Sequence, residues 1–339
     1  VYGTFKIEAY TPDSTAVVVD MTSLFMEYSP YTTPFAAIGG NSFFGLISRE
    51  HEYKKECSLL KDVDAFDNNI MVTCELGFIE NQYLFGAFKV IPGDVKVSVT
   101  TNKMLMLLPE EPMRPRFADP RLGVSFMEVS QIENDRKGLK STFYTKRWRV
   151  EPVDEAAYRR GETVEVKKPI VFYMDTLMPK AWQPYIKEGI KAWNEAFEKI
   201  GFRNVVRVMD FPKDDPDFNA NNIKYSTIRY APLWLDMQNS MHVDPRTGEI
   251  LNASLYIYDG LVSGLKTNRM LTTMAADPGV RTTRFSEEMM GELIRAEIMR
   301  EAGINLGLVY NAGASAVYPV DSLRSPSFTR EYGLSPSVV

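Results

Sequence analysis

The side chains best placed to do chemistry in this chain lie between Ser286 and Asn311, in the stretch SEEMMGELIRAEIMREAGINLGLVYN. Glu297 and Glu301 are four residues apart, so on a helix they share a face with Leu293 and Ile304. Carboxylates on a core-facing stripe are costly to bury unless they are paired. Arg300, next to Glu301 and one helical turn beyond Glu297, is the partner at hand. Two such carboxylates can serve as a general base or as oxygen ligands to a hard cation. The plainer reading is a helix with a solvated charged edge.

The element that must position them is a helix. Ser286 is a good N-cap, and Glu287 and Glu288 place negative charge where the helix dipole favours it. Met290, Leu293, Ile294 and Ile298 recur at helical spacing, and Gly303 is the expected stop. From about Lys146 onward, strand and helix patterns alternate, an α/β signature. KRWRVEP, PIVFYMD, NVVRVMDF, IKYSTIRYA and GEILNASLYIYDG read as strands. Between the second and third, residues 179–201 read as one helix with Trp182, Tyr185, Ile186, Ile190, Trp193 and Phe197 on a face. Pro184 is tolerated in its first turns and Gly201 ends it.

Residues 1–145 read as a β-rich domain. FKIEAY, TAVVVDMTSLF, NIMVTCELGFI and VKVSVTTNKMLMLL are rich in β-branched and aromatic residues. Turn formers separate them at Pro12-Asp13, Gly39-Gly40, Asp67-Asn68-Asn69 and Pro92-Gly93. The proline-rich segment Pro109 to Gly123 reads as an extended crossing, with Arg114, Arg116 and Arg121 expected to ion-pair with neighbours.

The 339 residues suffice for two domains with ample core, and 45% hydrophobic with 24% charged is ordinary for a globular protein. A net charge of −5 gives no basic footprint for nucleic acid. No apolar run approaches the roughly 20 residues that cross a bilayer. His51 and His242 are the only histidines, and Cys57 and Cys74 the only cysteines.

The Ser286–Asn311 stretch resembles the zinc helix of the metzincin-like metallopeptidases of Bacteroidetes, the Met-zincins. Their motif is His-Glu-x-x-His-x-x-Gly-x-x-His, with three zinc-binding histidines and a general-base glutamate. On this chain the histidine positions carry Arg300, Ile304 and Tyr310. The general-base position is Glu301, the glycine is Gly307, and Asn311 follows as in the family's His-Asn. Similar matches are WN at Trp193-Asn194, GF at Gly201-Phe202, VDPRTGEI at Val243–Ile250, MGELIR at Met290–Arg295 and LLPEEPM at Leu107–Met113. A looser one is the Phe66–Asn69 turn into a strand.

The resemblance implies an α+β or α/β fold: a β-rich amino-terminal domain (1–145), then a metzincin-like zincin domain (146–339) with a twisted mixed sheet and long helices. Val339 would fall where the family places the methionine beneath its metal, and the carboxy-terminal subdomain is expected to be missing. Arginine has no lone pair to give and isoleucine no donor atom, so the zinc motif reads as degenerate. No cofactor is therefore expected, although zinc serves the family. Arg300 would neutralise Glu301, and Tyr310 would hydrogen-bond the same carboxylate. The resemblance also implies export to the periplasm or outer-membrane surface, where Cys57 and Cys74 could bridge neighbouring strands; otherwise they are buried free thiols.

Three functions follow. The first is an inactive pseudopeptidase that binds or scaffolds a protein partner in a cell-envelope assembly, accepting an extended peptide along Ser254–Tyr258. The second is an active zinc- or other metal-dependent peptidase with a non-standard site drawn from Glu297, Glu301, Asp244 and Asp259. The third is a protein- or glycan-binding subunit acting through the β-rich domain.

Overall fold

The computed structural model describes residues 4–28, 34–36, 41–42, 47–85, 88–90, 94–133, 138–215, 218–232, 237–275 and 277–339. The chain forms two compact units, Val1–Leu107 and Leu108–Val339. Residue 145, where the sequence pattern changes, falls at the end of a hairpin within the second unit. The turns read at Gly39-Gly40 and Pro92-Gly93 lie outside the described residues.

In the first unit, β1 (Ile7–Tyr10) and β2 (Val17–Val19) form a small antiparallel ribbon. The strand expected through residue 25 stops early. Asp20 accepts a hydrogen bond from the Thr22 amide at 2.9 Å, and helix α1 (Thr22–Met26) starts there. That local side-chain turn outcompetes extension. Strands β3 (Asn41–Ser42), β4 (Ile47–Ala65), β5 (Asn69–Leu84), β6 (Phe88–Lys89) and β7 (Val95–Met106) make the main sheet, with β5 between β4 and β7. Its period-two face of Val72, Cys74, Leu76 and Phe78 is buried under Phe25 and Met26 of α1, with Phe35 and Tyr53 alongside.

Cys57 and Cys74 are free. β4 is irregular between Lys54 and Leu59, which leaves Cys57 beside Gly77, whereas Cys74 pairs with Leu60 and points into the core. The possible bridge across the two strands is not made, and only Cys74 is buried.

The second unit begins with the proline-rich crossing and the hairpin β8 (Phe126–Glu133) and β9 (Gly138–Thr145). Guanidinium groups hold the crossing by its carbonyls. Arg246 donates to Pro109 O at 2.7 Å, Arg149 to Glu111 O at 2.9 Å and Arg147 to Arg114 O at 2.8 Å. Two of these arginines are aimed by carboxylates, Arg246 by Asp244 and Arg149 by Glu249. Of the crossing's own arginines, Arg121 pairs with Asp119 inside the segment.

Short elements follow: α2 (Glu155–Arg159) and the parallel pair β10 (Val164–Glu165) and β12 (Phe202–Arg203). The main sheet uses β11 (Ile170–Met174), β13 (Val206–Asp210), β14 (Ser226–Ala231), β15 (Gln238–Val243) and β16 (Ile250–Tyr258). Its order is β13-β11-β14-β16-β15, parallel except for β15, which runs antiparallel to β16. Ser254–Tyr258 therefore lies on a strand between β14 and β15 and is not the edge; among the described residues β15 is. The architecture is α+β, as expected.

The helix read over 179–201 divides into α3 (Gln183–Lys191) and α4 (Asn194–Glu198). Backbone bonds tighten to i−3 at Trp193 and Glu195, while the Trp193 indole donates to Met299 O at 2.8 Å. Helix α5 (Asp259–Thr273) was not anticipated; α6 (Glu287–Asn305) was, and the short α7 (Val320–Leu323) and α8 (Pro326–Tyr332) follow it. Ile186 and Ile190 of α3, Ile294 and Ile298 of α6, and Phe172, Ile228, Leu255 and Ile257 of the sheet form one core. Among the described residues no helix is long and apolar enough to cross a membrane.

Candidate functional site

Helix α6 begins where the sequence says it should: Ser286 Oγ accepts from the Met289 amide at 3.1 Å. It does not stop at Gly303. The helix runs on to Asn305 and ends through Leu306, with Gly307 in the left-handed conformation at φ 104°. Gly303 instead supplies close contact: a β-carbon there would stand 2.5 Å from the Trp193 ring and 2.7 Å from Val339 Cγ2. Val339 thus packs against α6 beside the motif. The turn at Gly307 brings residues 308–311 back along the helix, tied by Val309 N to Gly123 O and Asn311 N to Val339 O, both 3.1 Å.

This return sets Tyr310 over Arg300. The Arg300 Nη1 donates to the Tyr310 hydroxyl at 2.9 Å, and its guanidinium carbon lies 5.4 Å from the ring centroid. On its other side Arg300 Nε donates to Glu297 Oε2 at 3.2 Å, and Nη2 pairs with both Glu297 Oε1 and Glu301 Oε1. The neutralisation expected of Arg300 is present, but Tyr310 accepts from the arginine rather than donating to Glu301. The Glu297 carboxylate, foremost, raises the guanidinium's already high pKa further.

Glu301 is only 8% exposed, and its second oxygen accepts from Asn239 Nδ2 on the edge strand β15. With Met237, Leu261, Gly264, Leu265 and Asn268, the residues Glu297, Arg300, Glu301 and Tyr310 line a cavity of about 480 Å³ between α5 and α6.

The motif positions Arg300, Glu301 and Tyr310 are therefore brought together. Ile304 is not among the cavity's walls, and Asn311 acts through its backbone. The four acids considered for a hard cation do not assemble. Asp244 is held by Arg246, Asp259 accepts from the Tyr230 hydroxyl at 2.6 Å, and Glu297 and Glu301 share Arg300. Neither histidine helps: His51 pairs with Glu80 at 3.0 Å in the first unit, and burial pushes the His242 imidazole below its ordinary pKa. Sequence reasoning missed Asn239 and the α5 wall. Leu261, Leu265 and Asn268 do stand at helical spacing, a signal that was available.

Comparison with known families agrees with the geometry. Residues 282–339 match the family described as Met-zincin, and residues 1–153 match a family described as Domain of unknown function (DUF5117). No curated protein matches the chain. The Met-zincin match overturns the expectation that no cofactor belongs here, because the family it names is a zinc-binding one. The residues that the resemblance places at the three ligand positions nevertheless do not fit that metal. Arg300 is a cation without a free lone pair, Ile304 has no donor atom, and Tyr310 is committed to Arg300. Among the described residues no group of three His, Cys, Asp or Glu side chains is placed to hold a metal ion. Helix, glycine turn and returning chain surround a guanidinium–carboxylate centre, and residues 282–339 form a metzincin-like region that matches the Met-zincin family.

Proposed function

We propose that the second unit is a Met-zincin relative that no longer hydrolyses peptides and serves as a binding or scaffolding module for a polypeptide partner. The observation that supports this is the engagement of Glu301. One oxygen of the general-base position is paired with Arg300 and the other with Asn239, so neither is directed at a nucleophilic water. Among the described residues β15 is the edge of the sheet, and beside the cavity it suits an extended segment, whose main chain would continue the sheet by strand addition. By resemblance alone, the setting is the periplasm or outer-membrane surface, with a protein of the cell envelope as partner.

The test incubates the protein with a library of unstructured decapeptides, with and without added zinc, and reads cleavage by mass spectrometry and binding by retention. Retention of extended sequences without cleavage in either condition is expected. Zinc-stimulated cleavage by the parent protein overturns the proposal.

A further inference from the structure

The mismatch between a zinc-type scaffold and its residues points to a specific role for one side chain. In the motif pattern a metal would join positions 300, 304 and 310, fastening the helix to the chain that returns after the glycine. We propose that in this protein Arg300 makes that fastening itself: its guanidinium is a built-in cross-link between α6 and the 308–311 return, and it sets the shape of the cavity.

The geometry carries this in three steps. Arg300 Nη1 reaches Tyr310 at 2.9 Å across the Gly307 turn, so the first and last motif positions are bonded to each other directly. The remaining donors are spent on Glu297 and Glu301, which fix the guanidinium on the helix so that it cannot swing away with the tyrosine. Glu301 passes the connection to Asn239, so one cation joins α6, the return and the edge strand. Arg300 is 26% exposed, which leaves the cluster sheltered enough for charge-assisted bonds to count. Backbone bonds hold the start of the return, Ser125 N to Gly307 O at 2.7 Å and Leu308 N to Gly303 O at 3.1 Å, while Arg300 supplies the hydrogen bond and the cation that hold the Tyr310 side chain.

The role is independent of whether the protein cleaves or binds peptides, and hydrogen exchange at the Val309 and Asn311 amides reads it directly. Arg300→Met alone would leave two carboxylates facing each other, so the informative variant is Arg300→Met with Glu297→Gln and Glu301→Gln. Its control carries the two glutamines and keeps Arg300. Exchange at both amides is expected to rise about tenfold in the variant, the equivalent of one charge-assisted hydrogen bond, and to rise by less in the control, where the two amide oxygens can still accept from Arg300. A second protein carries Arg300→His, Ile304→His and Tyr310→His. It is expected to exchange fast when metal-free and to return to the parental rate with one equivalent of zinc. Parental exchange in the folded arginine-free variant, or a folded triple-histidine protein indifferent to zinc, overturns the proposal.

Discussion

Gly291 of α6 lies against the ring of Tyr185 of α3, and a β-carbon at Gly291 would stand 2.1 Å from the Tyr185 Cζ. The ring thus fills the space that a side chain at position 291 would need. The contact matters to the cluster because α6 carries Glu297, Arg300 and Glu301 two turns further on. An alanine would gain about 1 kcal/mol in helix propensity. It would also force the ring or the helix aside, an overpacking cost of about 1–3 kcal/mol. With a clash this short the steric term wins. Gly291→Ala is expected to lower the urea midpoint, and Tyr185→Leu in the same protein to recover much of the loss. Unchanged stability in Gly291→Ala would show that the contact has slack.

Asp244 gives the chain an acid limb. Its side chain is 0% exposed, and the Arg246 guanidinium and backbone amide hold its carboxyl below the ordinary range. A carboxyl depressed in the folded state stabilises above its unfolded pKa, about 3.9, and loses that contribution as pH falls through the lower folded value. Arg246 also donates to Pro109 O, so protonation loosens the proline-rich crossing as well. Asp244→Asn is expected to cost about 1–2 kcal/mol at neutral pH, since Arg246 remains partly solvated. It should flatten the decline in stability below pH 4. Parallel pH–stability curves for parent and variant would remove Asp244 from the acid response.

The parts of this fold legible in the sequence are those whose causes are local. The cap at Ser286, the stripe on α6 and the turn before Asn69, where Phe66 N donates to Asn69 O at 2.9 Å, each depend on neighbours within one turn. The i+3 pairing of Glu297 with Arg300 is of the same kind. β4 was hidden because its run of charged residues obscures the alternation, although it pairs with β5 along most of its length. β15 is short and polar, as an edge strand can be, and α5 carries Gly260 and Gly264, which weaken its helical signature. The bond from Asn239 to Glu301 joins residues 62 apart in sequence. No periodicity announces such a contact; it exists only once the sheet order has placed β15 beside α6.

The cysteines differ in reactivity because they differ in burial. Burial pushes the Cys74 thiol up, while Cys57 sits exposed in the irregular part of β4. The native protein is expected to take up one equivalent of a thiol-reactive dye rapidly at Cys57, and a second only on unfolding. Cys57→Ser should abolish the fast phase and leave the slow one. Two slow thiols, or none in denaturant without reductant, would contradict the arrangement.

Asn194 closes the sheet's far edge with a side chain instead of a strand. Its Oδ1 accepts from the Val206 amide at 2.9 Å and its Nδ2 donates to Val206 O at 2.8 Å, pairing both polar groups of a residue that is 2% exposed. Asn194→Ala strands a buried donor and acceptor at once and is expected to cost about 2–4 kcal/mol. Asn194→Asp keeps the acceptor but sets a carboxylate oxygen against the Val206 carbonyl, so it should be destabilising near neutral pH and recover partly as the acid protonates. That pH-dependent recovery distinguishes a lost donor from a simple packing defect, which would weaken both variants alike at every pH. Urea midpoints of the two variants at pH 7 and near pH 4 decide between them.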